Sequence, residues 1–168
     1  MQRADLTKFA WLSIAAALAT LALKAGAWWV TGSVGLLSDA AESTVNLVAA
    51  IVALVALKLA AKPADDAFHY GRTKAEYFSA ATEGMMIFVA AVAIIMLAIQ
   101  RLLHPQPLAA VGVGLLISVV ASTINGAVAM VLLRAGRKHR SITLRADGKH
   151  LMTDVVTSAG VLVGVGLV

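Results

Sequence analysis

The chain has 168 residues, of which 60% are hydrophobic and 14% are charged, and its mean hydropathy is +0.87. A soluble domain of this size does not need so large an apolar fraction, so the composition indicates a membrane protein. The net charge of +5 suits loops beside anionic lipid, and we expect no nucleic-acid partner. Cysteine is absent, which excludes disulfides and thiolate metal ligands.

Five apolar stretches each reach the roughly 20 residues that a helix needs to cross a bilayer. They cover residues 9–30, 34–60, 77–103, 108–133 and 144–168. Their lengths and short connections predict an all-α, polytopic helical membrane bundle that forms one domain over residues 1–168.

Basic residues fix the predicted orientation of the bundle, because Lys and Arg in short loops stay in the cytoplasm. Twelve of the fourteen fall before the first span or near the second and fourth connections. We therefore expect a cytoplasmic amino terminus. Lys24 lies within the first span, and we expect its amine to extend toward the outer interface.

Polar residues recur at helical spacing inside the second and fifth stretches. Both sets follow the spacing i, i+3, i+7, which puts three side chains on one helix face. They are Asp39, Glu42 and Asn46 in the second stretch, and Asp147, His150 and Asp154 in the fifth. At about 1.5 Å per residue, the last two members of each set lie near the membrane midplane. Glu42, Asn46, His150 and Asp154 therefore form a candidate site for a divalent metal.

Three further acids are accessory candidates. Asp39 and Asp147 either attract ions or pass protons at the two mouths of the site, or act as helix-start residues. Glu83, in the third span, either lines a cytoplasmic vestibule or is satisfied by a partner such as Lys74 or by buried water.

Three segments resemble the cation diffusion facilitator family of divalent-metal/proton antiporters. They read SVGLLSDAAESTVNLVAA, PADDAFHYGRTKAEYFSA and LRADGKHLMTDVVTSAGVLVGV. The resemblance covers residues 9–168 and implies six membrane helices, homodimerisation and a carboxy-terminal cytoplasmic domain. Five of the six spans are then present, and the chain stops in or just after the fifth. We accordingly expect an integral protein of a bacterial inner membrane, with lipid, metal and protons as its partners.

The resemblance also implies a transport site of two residue pairs. Glu42 and Asn46 take the second-helix places, where the family usually has His or Asp followed by Asp. His150 and Asp154 match the usual fifth-helix pair. Asn46 departs from the pattern and leaves two carboxylates to balance a divalent ion. One imidazole among oxygen donors favours zinc and also admits iron, cobalt, nickel or manganese. We expect no permanently bound cofactor and no enzyme activity.

Many members of that family carry a second, surface metal site in the loop after the second helix. Asp65 and Asp66 are present here, His69 is displaced by one place, and Arg72 replaces a second His. We expect surface ion pairs there rather than a metal.

Efflux of a divalent cation in exchange for protons, by alternating access, is therefore the predicted function. The alternatives are a non-transporting membrane scaffold or regulatory subunit, which Asn46 favours, and a passive cation channel. A channel requires continuous polarity along a pore, whereas the polar residues here form confined patches.

Overall fold

The computed structural model describes residues 6–31, 34–62, 72, 74–103 and 111–166. Five helices account for nearly all of these residues: α1 (Thr7–Thr31), α2 (Val34–Ala61), α3 (Ala75–Leu103), α4 (Val111–Lys138) and α5 (Ile142–Gly166). The predicted all-α membrane bundle is confirmed. The fourth helix runs five residues beyond its predicted apolar stretch, and this extension includes Arg134, Arg137 and Lys138. Cations are favourable near the carboxy terminus of a helix.

Three helical segments within the described ranges are long and apolar enough to cross a membrane: Thr7–Val30, Asp39–Ala61 and Gly112–Lys138. The charged side chains of α5, at positions 145, 147, 149 and 154, lower the hydropathy of that helix. Large apolar side chains cover the outer faces of α2 and α3; Val48 and Ile51, for example, are 50% and 46% exposed, and Phe88 is 68% exposed. A continuous apolar surface of this kind is suited to lipid.

Helices α1, α2, α4 and α5 share a core built largely from small residues. Ala10, Ala50, Ala53 and Ala129 are at most 1% exposed. Small side chains at helix contacts let the backbones approach closely. Helix α3 packs against α2 and α5 at the side of this core, so a space remains between these three helices.

A tight corner joins α4 to α5. The amide of Ser141 donates to the carbonyl of Gly136 at 3.0 Å, and the amide of Arg140 donates to the carbonyl of Arg137 at 3.4 Å. Arg140 has a φ of 52°, the left-handed conformation that ends many helices in this hydrogen-bond pattern. A Cβ on Gly136 would lie 2.9 Å from the backbone nitrogen of Arg145, so glycine permits the two helices to touch.

Glu76, from the start of α3, caps the amino terminus of α5. Its Oε2 accepts hydrogen bonds from Ser141 Oγ at 2.5 Å and from the amide of Ile142 at 3.0 Å. Ser141 Oγ in turn accepts from the amide of Leu144 at 3.3 Å, as an N-cap residue does. A carboxylate is favourable beside the amide groups of a helix amino terminus. This contact fixes the start of the helix that carries His150 and Asp154.

Candidate metal site

A cavity of about 610 Å³ lies between α2, α3 and α5. All four predicted metal ligands line it: Glu42 and Asn46 from α2, and His150 and Asp154 from α5. Helix α3 contributes a mainly apolar wall that includes Met85 and Met86. The structure thus brings the two predicted pairs to one space between the helices, with polar groups on two sides and an apolar surface on the third.

Asn46 links the two residues of α5 directly. Its Nδ2 donates to Asp154 Oδ2, and its Oδ1 lies 2.7 Å from His150 Nε2. An amide oxygen only accepts hydrogen bonds, so in this arrangement His150 Nε2 carries the proton. The other imidazole nitrogen, Nδ1, is buried and has no hydrogen-bond partner among the described residues. Asn46 therefore holds three of the four predicted ligands in one hydrogen-bonded chain.

In this conformation the acids and imidazoles are not gathered tightly enough to hold a metal by themselves. Within the described part of the chain, no three Asp, Glu or His side chains form a metal-binding group. The amide of Asn46 lies between His150 and Asp154, so a metal bound by both has to replace its hydrogen bonds. The four residues remain a predicted ligand set.

Asp39 and Asp147 lie well inside their helices. Neither α2 nor α5 has an acid in its first turn, because α2 begins at Val34 and α5 at Ile142. The helix-start role considered for both residues is therefore wrong. Asp147 is 2% exposed, its Oδ1 accepts from Ser13 Oγ of α1 at 3.1 Å, and its Oδ2 has no partner among the described residues.

Glu83 is completely buried. Ser79 Oγ, one turn earlier in α3, lies 3.5 Å from its Oε1. The partners considered from the sequence were Lys74 and buried water; among the described residues, the side chain that contacts the Glu83 carboxylate is a serine of the same helix. Neither Glu83 nor Asp147 is among the described residues that line the cavity of about 610 Å³.

Lys24 is a buried charged residue whose direction the sequence did not reveal. We expected its amine to extend toward the outer interface, but the side chain is only 9% exposed. Counting from the helix ends puts it near the level of Glu42, since Lys24 lies seven residues before the end of α1 and Glu42 eight residues after the start of α2.

The predicted surface-loop residues Asp65, Asp66 and His69 lie outside the described residues. The absence of a metal there therefore stays a prediction.

Comparison with known proteins gives one family and several bacterial relatives. A family model described as the cation efflux transmembrane domain matches residues 10–168. A protein of Synechocystis sp. described as an uncharacterized transporter is 58% identical over 160 residues, which cover 95% of this chain and 52% of that protein. The cation-efflux pump FieF of Klebsiella pneumoniae is 35% identical over 153 residues, 91% of this chain and 51% of the pump. The chain spans about half the length of these relatives.

Proposed function

We propose that this chain, which belongs to the family of cation efflux transmembrane domains, is the membrane part of a transporter that exports a divalent transition-metal cation from the cytoplasm in exchange for protons. Zinc is the favoured substrate, and iron, cobalt, nickel and manganese are the others that the donor set admits. The protein is integral to the membrane, and we place its amino terminus in the cytoplasm on the distribution of Lys and Arg.

One observation carries this proposal: Glu42, Asn46, His150 and Asp154 line a single cavity between α2, α3 and α5. Two carboxylates, one imidazole and one amide oxygen offer four donors to a metal. When both acids are ionised, the two negative charges of Glu42 and Asp154 balance a divalent ion. A surplus of charge would hold the ion too tightly for release.

Proton exchange follows from the chemistry of these donors. A metal binds carboxylates that are ionised and an imidazole nitrogen that carries no proton, so metal binding releases protons and protonation releases the metal. Among the four donors, His150 has the side-chain type that titrates nearest to neutral pH. If the cavity opens alternately to the two sides, loading from the cytoplasm and protonation from outside give net efflux.

The test is transport by the full-length protein in lipid vesicles, with Zn²⁺ flux and internal pH followed together. We expect metal-dependent proton counterflow in the wild type, and no flux from His150→Ala or Asp154→Ala. Thr153→Ala is the matched control, because Thr153 lines the same cavity while its hydroxyl donates to the Lys149 carbonyl of its own helix at 3.0 Å. Normal flux from either ligand variant would remove the proposed ligand set.

A membrane scaffold is the second candidate, and the hydrogen bonds from Asn46 to His150 and Asp154 favour it, because they join α2 to α5. The same vesicles separate the two functions. A scaffold gives no flux with the wild-type protein, and a passive channel gives Zn²⁺ flux without proton counterflow.

A further inference from the structure

We propose that a groove between α3 and α5 binds an anionic phospholipid at the membrane face where both helices begin, with the lipid phosphate held by Arg145 and Lys149. The groove has a volume of about 380 Å³. It is separate from the candidate metal site, since Ile87 is the one described residue that lines both spaces. The inference goes beyond the proposed transport function and does not depend on which ion is carried.

The groove follows the first turns of two helices that begin side by side. The carboxylate of Glu76, at the start of α3, accepts a hydrogen bond from the amide of Ile142, at the start of α5, at 3.0 Å. Ile142 lines the groove at this end, and Ile87, twelve residues into α3, lines it at the other. A rise of 1.5 Å per residue puts Ile87 about 18 Å from the start of α3. The groove therefore reaches from the membrane interface into the hydrocarbon region, as a bound lipid does.

Small and apolar residues form the walls of the groove. Ala80, Gly84 and Ile87 lie on α3, and Ala146 lies on α5. Gly84 is exposed, and a Cβ added to it would meet nothing within 4 Å, so the groove is open at this position. An open apolar surface on a membrane-spanning bundle is a site of contact with lipid. An acyl chain is thus the occupant that the bilayer itself supplies.

Two cations line the groove near the helix starts. Arg145 and Lys149 lie three and seven residues after the start of α5, and a spacing of four residues on one helix lets both side chains reach one phosphate. Both are exposed, no described lining residue is acidic, and neither cation forms an ion pair or hydrogen bond with another described residue. An Arg guanidinium binds two phosphate oxygens at once, and basic pockets between membrane helices are typical sites for lipid phosphates. The charges therefore select an anionic phospholipid.

The experiment measures binding of dioleoylphosphatidylglycerol to the full-length protein in a neutral detergent. Arg145→Gln combined with Lys149→Gln should weaken this binding at least about tenfold, because each cation near an anionic lipid contributes about a fivefold gain. Arg137→Gln combined with Lys138→Gln is the matched control, since these cations lie in the last turn of α4, at the same end of the bundle but outside the groove lining. This control changes the net charge equally and should keep the wild-type affinity. Dioleoylphosphatidylcholine, which has no net charge, should bind the wild type at least about tenfold more weakly.

Gly84→Leu tests the apolar part of the groove without changing any charge, and it also serves if the double variant does not fold. The added side chain meets no neighbour in the protein but occupies the groove, so lipid binding should weaken at least about threefold. Unchanged lipid binding in either folded variant, an equal loss in the α4 control, or equal affinity for dioleoylphosphatidylcholine would overturn the lipid site. A further membrane helix of the full-length protein that covers the groove would give the first of these results. Displacement of the lipid by millimolar inorganic phosphate would assign the two cations to a free anion and would overturn it as well.

Discussion

Replacing Glu76 by alanine tests whether the contact between α3 and α5 stabilises the bundle. Glu76 is 3% exposed, and its Oε2 accepts one strong hydrogen bond from Ser141 Oγ, a second from the amide of Ile142 and a long one of 3.5 Å from the amide of Thr143. Removing a buried acceptor costs about 1–3 kcal/mol for each donor left without a partner. Water reaches the half-buried Ile142, so we expect Glu76→Ala to destabilise the protein by about 2–4 kcal/mol.

The conservative variant separates charge from geometry. Glu76→Gln keeps an oxygen that accepts a hydrogen bond but loses the negative charge at the start of α5, so we expect a cost of about 1–2 kcal/mol. Thermal unfolding of the full-length protein in detergent should give the lowest Tm for Glu76→Ala and an intermediate Tm for Glu76→Gln. Thr82→Ala, an exposed position of the same helix, should match the wild type. If Glu76→Ala unfolds at the same temperature as Thr82→Ala, the contact does not stabilise the bundle.

Three further substitutions test other contacts. Arg140→Gly should stabilise the protein by about 1 kcal/mol, because glycine adopts the left-handed conformation of this position without a steric cost; an unchanged Tm in the same assay would contradict this. Gly136→Ala should destabilise the protein by about 1–3 kcal/mol, because the added Cβ would lie 2.7–2.9 Å from atoms of Arg145 and force α4 and α5 apart. A wild-type Tm for this variant would show that the corner between α4 and α5 has room for a Cβ. Asn46→Asp should change the order of metal preference in competition transport assays by adding a carboxylate to the site, whereas an unchanged order would place Asn46 outside the metal's ligands.

The architecture was predictable because each apolar stretch is long enough to span a bilayer and few other folds use such segments. The shared cavity followed from two simple counts, the one-turn spacing within each residue pair and the depth of each pair along its helix. Both counts depend only on helix geometry, so Glu42 and Asn46 could be expected opposite His150 and Asp154. Packing details were not needed for that step.

The inward direction of Lys24 was not predictable in the same way. Helix α1 is apolar on nearly every face, so its sequence does not indicate which stripe contacts the other helices. The rotation is decided by packing against α2 and α4. The contact between Glu76 and Ser141 was missed for a related reason: the two residues are 65 positions apart, and no local pattern connects the start of α3 with the start of α5.

Asn46 connects the fold to the proposed transport cycle. Its amide joins His150 to Asp154, so the two helices stay together when no metal bridges them, and a metal that binds both residues has to break these hydrogen bonds. A hydrogen bond to a charged group contributes about 1.5–3 kcal/mol, which is roughly a tenfold to hundredfold reduction in metal affinity. In a protein that keeps its metal permanently, this competition would only weaken metal binding. A transporter gains, because protonation has to displace the ion in every cycle and a weaker site is emptied more readily.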